Sequence, residues 1–379
     1  MTCARVRGLP ALLLTIASPV LAQGRWEGRT AVFYESYTFG AGLPFERVSE
    51  VTVPLGLTYG LGRLGSLALS SGYARVELRS TDTSLGDQQV SGLLDTEARL
   101  SINVVPGKLI MLITGAAPTG IKTVQQKELA ILGALSSDVI GFAASNLGTG
   151  GNVGAGFAGA VPVGRWAAGF GATVRQPMGY QPVIGETREL KPGNEVRLRA
   201  GLEGPLARRT YLRAAGILAR TAKDRISVAG SDSTRNGVGH RLIGYLSVNQ
   251  GIRQFSLTLY GFDVLRGDPQ LEQTAQGAAI LPRGNLLALG GRLDWPAGPA
   301  TTVTPNAEWR VSDAAPDTAT TALERLGGSL RLAVDVRHRL TPALSTVFQG
   351  GRTSGYVMQA GSRIDLSGFR LALHLEFTP

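Results

Sequence analysis

The stretch GFRLALHLEF, residues 368–377, decides the fold of this chain. Its apolar side chains occupy every second position and are Phe369, Leu371, Leu373, Leu375 and Phe377. The opposite face carries the polar side chains Arg370, His374 and Glu376. Because successive side chains of a strand point to opposite faces, this period of two predicts a β-strand with one apolar and one charged face.

Three upstream stretches, 195–204, 286–295 and 328–337, alternate in the same way. Their apolar faces carry Val196, Leu198, Leu202, Leu287, Leu289, Leu293, Leu330, Leu332, Val334 and Val336. Such strands are typical of a membrane barrel, with lipid outside and a wet lumen inside. Half-buried strands of a soluble sandwich also alternate apolar and polar residues. The connections between the strands are therefore needed to distinguish a membrane barrel from a sandwich.

Short and long connections alternate along the chain. Short turns containing Gly, Pro or Asn are expected at 60–65, 105–108, 162–165, 204–208, 249–251, 296–299 and 338–342. Longer stretches, mostly polar, lie at 80–91, 118–151, 177–194, 221–239, 266–284, 312–326 and 353–362. Bacterial outer-membrane barrels show this asymmetry, with short periplasmic turns and long extracellular loops.

These connections predict an all-β, transmembrane antiparallel barrel over residues 23–379. The hairpins, with one strand added at each end by 30–39 and 368–378, amount to about 16 strands, and about 14 is the alternative count. After residue 22 no apolar run is long enough for a transmembrane helix. A spanning chain without such helices must close its sheet, which places this protein in the bacterial outer membrane.

Residues 1–22 have the features of a cleaved signal peptide, with Arg5 and Arg7 before an apolar stretch and Val20-Leu21-Ala22 as the cleavage site. The sole cysteine, Cys3, lies inside this segment. The mature chain is therefore expected to lack disulfides and thiolate metal sites. His240, His338 and His374 lack acidic partners at metal-ligand spacing, so neither a metal nor a cofactor is predicted.

The formal charge of +10 becomes +8 once Arg5 and Arg7 are removed with the leader. Since the basic residues are spread along the chain, no nucleic-acid partner is expected. A lumen that attracts anions, or contact with acidic lipid head groups, explains the charge better. The expected partners are the lipid bilayer, lipopolysaccharide, the outer-membrane assembly machinery and small apolar solutes.

No catalytic residue is predicted, and the chain is not expected to be an enzyme. The sequence contains no G-x-S-x-G elbow and no Walker loop. Gly60–Gly65 matches G-x-G-x-x-G, but a strand-like run follows where a dinucleotide fold needs a helix, so a hairpin turn is predicted. An outer-membrane hydrolase stays as a minor alternative, with His240 near Ser231 and Ser233 as its best candidates.

Several short motifs lie within residues 55–204. They are Ser66–Tyr73, Gly92-Leu93-Leu94-Asp95-Thr96, Ala117-Pro118-Thr119-Gly120 and Lys191-Pro192-Gly193-Asn194-Glu195. Together they resemble motifs of outer-membrane transporters for hydrophobic compounds, the group that contains the long-chain fatty-acid channels and the barrels encoded with aromatic-degradation pathways. Leu94 departs from the family's second glycine. The resemblance implies passive uptake of small hydrophobic compounds, either fatty acids or aromatics, and a general porin or structural barrel is the alternative.

Fatty-acid channels carry an N-terminal plug, whereas here only Gln23–Arg29 precede the first predicted strand. The long loop 118–151 is unusually apolar and is the expected substitute, as a short helix folding into or over the mouth. The alternative is a loop that packs on neighbouring loops or on a partner chain. The predicted gating residues are Leu129, Ile131, Leu132, Leu135, Val139, Ile140 and Phe142.

The charged faces of the strands predict which residues line the lumen. They are Glu97, Arg99, Arg197, Arg199, Arg213, Glu308, Arg310, Arg331 and Asp335. These side chains either set the charge selectivity of the lumen or pair into a salt-bridge mesh, and the mesh is favoured.

Overall fold

The structure is a computed structural model that describes residues 26–82, 86–185, 187–228, 234–271, 283–315 and 322–379. The predicted leader, residues 1–22, lies outside this part of the chain. Strands in chain order are β1 Trp26–Phe39, β2 Phe45–Gly60, β3 Gly65–Ser80, β4 Gln88–Leu93, β5 Thr96–Val105, β6 Leu109–Ala117, β7 Asn152–Val163, β8 Trp166–Pro177, β9 Arg188–Lys191, β10 Glu195–Ala207, β11 Thr210–Thr221, β12 Asp224–Val228, β13 Thr234–Gly237, β14 Arg241–Ile252, β15 Phe255–Arg266, β16 Gln270–Leu271, β17 Gly284–Pro296, β18 Thr301–Ala314, β19 Glu324–Arg339, β20 Leu344–Gln359 and β21 Ser362–Phe377. Within the described ranges, one α-helix, α1 Leu129–Leu135, and the 3-10 helices Gly62–Leu64 and Gln126–Glu128 complete the elements. Among the described residues, no helix has the length and hydrophobicity to span a bilayer.

Seventeen of these strands form one closed antiparallel sheet. The sheet closes because β1 pairs with β2 on one side and with β21 on the other. Both β4 and β5 pair with β3, so they are two pieces of one interrupted strand and the barrel has 16 strands. The predicted fold and the higher of the two predicted strand counts are confirmed. The remaining strands, β9, β12, β13 and β16, form a separate small sheet contributed by the long connections.

The predicted alternation is confirmed in all four stretches that carried the argument. Outward-pointing apolar side chains are exposed and include Leu198, Leu289, Leu330, Leu332, Val334, Phe369, Leu371 and Leu373. A closed sheet satisfies its own backbone hydrogen bonds, so this exposed apolar band faces lipid. Aromatic side chains of neighbouring strands also pair, with Tyr34 edge-on to Phe369 at 5.6 Å and Trp26 against Tyr59 at 4.6 Å. This is the architecture of bacterial outer-membrane barrels.

All seven predicted short turns are present as hairpins, with small shifts in position. The turn expected at 249–251 lies at Arg253-Gln254, because β14 continues to Ile252. The G-x-G-x-x-G match is a hairpin turn as predicted, and β3 begins at its last glycine, Gly65.

The prediction of a loop at 353–362 is wrong. These residues continue β20 and enter β21, and only Ala360 and Gly361 connect the two strands. Both connecting residues have positive φ, 48° and 78°, as a tight two-residue hairpin turn requires. This stretch is rich in Ser, Thr and Gly and lacks the apolar alternation of a lipid-facing strand, so it resembles a loop in sequence.

Placing a charge on the outer band tests which face meets lipid. Leu373 lies in the outward series of β21 and is 50% exposed. We expect Leu373→Arg to lower the free energy of unfolding by about 2–4 kcal/mol, the cost of arginine near the middle of the bilayer. Chemical unfolding in lipid vesicles measures this change. The matched control is Leu340→Arg, at a leucine equally exposed (53%) in a short turn, and an equal effect of both substitutions would contradict the orientation.

Candidate functional site

The connection between β6 and β7, residues 118–151 and here called the inserted loop, folds into the barrel. Its apolar side chains Ile131, Leu135 and Ile140 are buried against lumen-facing side chains of β1–β3, including Tyr37 and Val76. The ring of Phe142 meets that of Tyr37 edge-on at 5.1 Å. The loop therefore occupies part of the lumen.

Helix α1 forms where the sequence favours it. The Gln125 N–H donates to Glu128 Oε2 at 2.7 Å in a capping box at the start of the helical segment. Leu and Ala, both good helix formers, make up most of α1. Ile131 and Leu135, four residues apart, lie on one face of the helix, and that face is buried.

Six of the seven predicted loop residues pack against the inner wall. Ile131, Leu135, Val139, Ile140 and Phe142 are buried, and Leu132 is partly buried against the same cluster. Leu129 is 37% exposed at the start of α1 and lies apart from them. Their role in gating stays a prediction.

Two buried carboxylates hold the backbone of the inserted loop. Glu35 on β1 and Glu50 on β2 are paired across the two strands and are 0% and 1% exposed. The Ala143 N–H donates to Glu35 Oε1 at 3.1 Å, and the Ala144 N–H donates to Glu50 Oε1 at 2.8 Å. Hydrogen bonds to charged groups are among the stronger ones in proteins, so the wall fixes this part of the loop.

Arginines from distant strands hold the loop's carbonyl groups. Arg331 on β19 donates to the Ile140 carbonyl at 2.7 Å, and Arg370 on β21 donates to the Gly141 carbonyl at 2.9 Å. Arg370 also forms a buried ion pair with Glu35 at 2.8 Å. Gly141 has φ of 63°, a left-handed backbone conformation that favours glycine, and a Cβ there would require the Arg310 guanidinium group to move.

Sequence reasoning did not select Glu35, Glu50 or Arg370 as site residues. They come from β1, β2 and β21, and only barrel closure brings β21 next to β1. A signal was nevertheless present, because Val32 and Tyr34 alternate with Glu35 in a predicted strand. An acidic residue on the non-lipid face of a strand is a candidate lumen group.

A cavity of about 660 Å³ lies between the inserted loop and the wall. Its apolar lining includes Phe33, Leu94 and Phe142. Its cationic lining is Arg310, Arg331 and Arg370. Arg310 pairs with Glu308 at 2.6 Å and Arg370 with Glu35, whereas no ion pair involves Arg331 within the described part of the chain. The cavity thus combines apolar surface with an excess of positive charge.

The other predicted lumen residues lie in or beside two further cavities. Glu97, Arg99 and Arg197 line one of about 700 Å³, and Arg213 and Asp335 line one of about 630 Å³ that also contains Tyr245 and Tyr260. Arg199 is exposed, two residues from Arg197 and so on the same face of β10.

Four of the nine predicted lumen residues belong to ion pairs between described residues. Arg197 pairs with Glu195, Arg213 with Glu203 at 2.8 Å, and Arg310 with Glu308 at 2.6 Å. Asp335 instead accepts a hydrogen bond from Gln349 at 2.8 Å. Both interpretations of the charged faces, a salt-bridge mesh and charge selectivity, stay predictions, and ion pairs of this kind are the contacts that a mesh would contain.

The small sheet outside the barrel contains a carboxyl group with a shifted pKa. Asp224 on β12 accepts a hydrogen bond from the Gly193 N–H at 2.7 Å. Burial raises the pKa of Asp224 above its ordinary value, and the bond from Gly193 offsets part of that rise. The contact ties the Pro-Gly turn of the Lys191–Glu195 motif to the neighbouring connection.

The described residues do not provide an assembled active site for the alternative of an outer-membrane hydrolase. Ser231 and Ser233 lie outside the described residues, so their distance from His240 is not defined. In the ranges that the structure describes, no group of three or more His, Cys, Asp or Glu side chains could hold a metal ion.

No protein-family model and no curated protein sequence matches the chain. Solved structures similar to it include a bacterial polysaccharide outer membrane secretin (8% identity, 94% of this chain and 99% of that one, TM-score 0.48). Others are OccK9 (OpdG) of Pseudomonas aeruginosa (12% identity, 94% and 99%, TM-score 0.47) and a FadL homologue of the same organism (10% identity, 93% and 90%, TM-score 0.46). The architecture of this chain is established by its own strand pairing.

Proposed function

We propose that this barrel is a passive outer-membrane channel for small apolar solutes, and that solutes carrying a carboxylate pass most readily. The observation that carries the proposal is the cavity between the inserted loop and the wall, where Phe33, Leu94 and Phe142 lie beside Arg310, Arg331 and Arg370. Its volume is in the range of pockets that bind small organic molecules.

The chemistry of the lining supports an apolar acid as the solute. Aromatic and aliphatic side chains bury an acyl chain or a ring. Guanidinium groups match the geometry of a carboxylate and are less strongly hydrated than an ammonium group. Arg331 donates to the Ile140 carbonyl but forms no ion pair with another described residue, so no carboxylate of the described chain neutralises its charge.

The family resemblance of the motifs supports the same solute class. In fatty-acid channels an N-terminal segment plugs the barrel, and here the inserted loop supplies lumen-filling contacts. We therefore propose fatty acids and aromatic acids as the substrates, in line with the hydrophobic-compound transporter group that the motifs resemble.

A general porin is the second candidate. The cavity of about 700 Å³ favours it, because charged groups such as Glu27, Arg29, Glu97 and Arg99 line it. A wet and charged lumen passes small polar solutes without a specific site.

Uptake by porin-depleted cells separates the two candidates. We expect the protein to raise uptake of radiolabelled decanoate severalfold above vector controls, and uptake of glucose much less. Arg331→Met removes the unpaired charge and is expected to lower decanoate uptake, whereas Arg213→Met, in a lumen ion pair away from the loop, serves as the matched control. Equal gains for decanoate and glucose would support the porin, and no gain for either would refute a channel.

A further inference from the structure

Two sequence motifs, Gly92–Thr96 and Pro118–Gly120, meet at the base of the inserted loop. The first contains the break between β4 and β5, where Leu94 and Asp95 leave the regular pairing with β3. The Leu94 N–H still donates to the Gly72 carbonyl at 2.8 Å, so the interruption is short and anchored. The second motif begins the loop directly after β6.

The Asp95 carboxylate contacts both ends of the inserted loop. Its Oδ1 accepts a hydrogen bond from the Gly120 N–H at 3.0 Å, near the start of the loop. Its Oδ2 accepts from the Thr149 N–H at 2.7 Å and from Thr149 Oγ1 at 3.1 Å, near the end. One side chain thus joins two segments 29 residues apart in sequence.

The two ends of the loop also contact each other, and we call residues 120–121 and 147–149 the loop neck. The Ile121 N–H donates to the Leu147 carbonyl at 3.0 Å. A Cβ on Gly120 would lie 2.5 Å from the Leu147 oxygen and 2.7 Å from Asp95 Oδ1. A Cβ on Gly148 would lie 2.9 Å from the Gly120 carbonyl carbon. Glycine is therefore required in both segments of the loop neck, at 120 and at 148, for the two segments to approach each other.

Hydroxyl groups connect the neck to the barrel wall. Thr119 Oγ1 donates to the Leu94 carbonyl at 2.9 Å and lies 2.9 Å from Thr96 Oγ1. Thr96 Oγ1 in turn lies 3.0 Å from Ser71 Oγ on β3. The neck is consequently held to the interrupted strand and to its neighbour.

We propose that Asp95 is the positioning residue of the inserted loop, closing its neck and so setting how far the loop extends into the lumen. The inference rests on the proposed function in one respect, that the loop limits passage. It explains why both motifs are present in one chain, since the carboxylate of the first binds the glycine N–H of the second.

The base and the inner part of the loop are held by different groups. Glu35, Glu50, Arg331 and Arg370 hold residues 140–144, whereas Asp95 holds residues 120 and 149. Closing the ends of a flexible segment limits its conformations. Loss of Asp95 is therefore expected to leave the inner contacts formed part of the time and to widen the range of loop positions.

Pulsed electron paramagnetic resonance measures the loop position directly. Spin labels are attached to Gly133→Cys on α1 and Gly298→Cys in a short turn at the opposite rim, in a Cys3→Ser background. A Cβ meets no heavy atom within 4 Å at either glycine. Asp95→Ala and Asp95→Asn are compared with Asp335→Asn, which removes a lumen charge that contacts Gln349 and Asn306 on the wall.

We expect one narrow distance distribution in the unsubstituted protein and in Asp335→Asn. Asp95→Ala should raise the displaced population about tenfold, which corresponds to about 1.4 kcal/mol, close to the lower end of the contribution of a hydrogen bond to a charged group. Asp95→Asn keeps one acceptor oxygen, so its displaced population should lie between those of the unsubstituted protein and Asp95→Ala. It also serves if the alanine variant does not assemble into a barrel.

A distance distribution in both Asp95 variants that matches Asp335→Asn would overturn the proposal. Decanoate uptake is measured on the same proteins. A broadened distribution with unchanged uptake supports Asp95 as the positioning residue and instead refutes the idea that the loop limits passage.

Discussion

Replacing residues 124–142 by a short Gly-Ser linker is expected to raise single-channel conductance severalfold. The deletion removes α1 and the buried side chains Ile131, Leu135 and Ile140, which occupy lumen space in the structure. It also removes the carbonyl groups that Arg331 and Arg370 bind, so Arg331 loses its contact with the loop while Arg370 keeps its ion pair with Glu35. Planar-bilayer recording of the purified protein measures the conductance and the ion preference together.

The same deletion is expected to abolish discrimination between decanoate and glucose. The cavity that carries the proposed function has the loop as one of its walls, including Gly141 and Phe142. Without that wall, both solutes cross a wide polar lumen. Uptake by porin-depleted cells measures this change.

The control inserts the same linker between Ala360 and Gly361, in a turn where both residues are exposed. Conductance and discrimination should then stay as in the unsubstituted protein. An unchanged conductance after the loop replacement, in a barrel that assembles normally, would show that the inserted loop does not limit passage.

Glu35→Ala is expected to lower the free energy of unfolding by about 3–5 kcal/mol, the usual cost of removing one partner of a buried ion pair. Glu35 is 0% exposed, and it accepts hydrogen bonds from Arg370, the Tyr37 hydroxyl and the Ala143 N–H. The substitution leaves the Arg370 charge without this partner inside the barrel and frees the loop at Ala143. Chemical unfolding in lipid vesicles, followed by tryptophan fluorescence, gives the free-energy change.

Two further variants separate the ion pair from loss of packing. Glu35→Leu with Arg370→Met removes both charges and should recover a large part of the loss, because no buried charge stays unpaired. Glu50→Ala removes the hydrogen bonds that Thr52 and Ala144 donate to Glu50 but no ion pair with another described residue, so its effect should be smaller. Equal losses for Glu35→Ala and Glu50→Ala would show that the ion pair is not the main contribution.

Much of the barrel could be predicted from local pattern alone. The alternation in β21, with Leu371 and Leu373 outward and Arg370 inward, depends only on the two-residue period of a strand. Short turns are equally local, since Gly, Pro and Asn adopt turn geometry at low cost. Segment 353–362 was mispredicted for the same reason, because polar residues that continue a strand carry no apolar period.

The inserted loop shows the limit of this approach. An apolar segment of a connection must be buried somewhere, and the hydrophobicity of 129–142 indicated as much. The surface against which it is buried was not indicated. Tyr37 and Val76 lie on strands far from the loop in sequence, and their common inward direction follows from barrel closure.

The sequence by itself determined the repeating hairpins, the lipid-facing side of the four alternating stretches and the unusual apolarity of one connection, since each depends on neighbouring residues. Only the tertiary structure decided that Glu35, Arg331 and Arg370 converge on the loop and that Asp95 closes its neck. Those contacts join β1, β19, β21 and the break between β4 and β5. Long-range electrostatic contacts of this kind depend on register and closure around 16 strands, which no local pattern encodes.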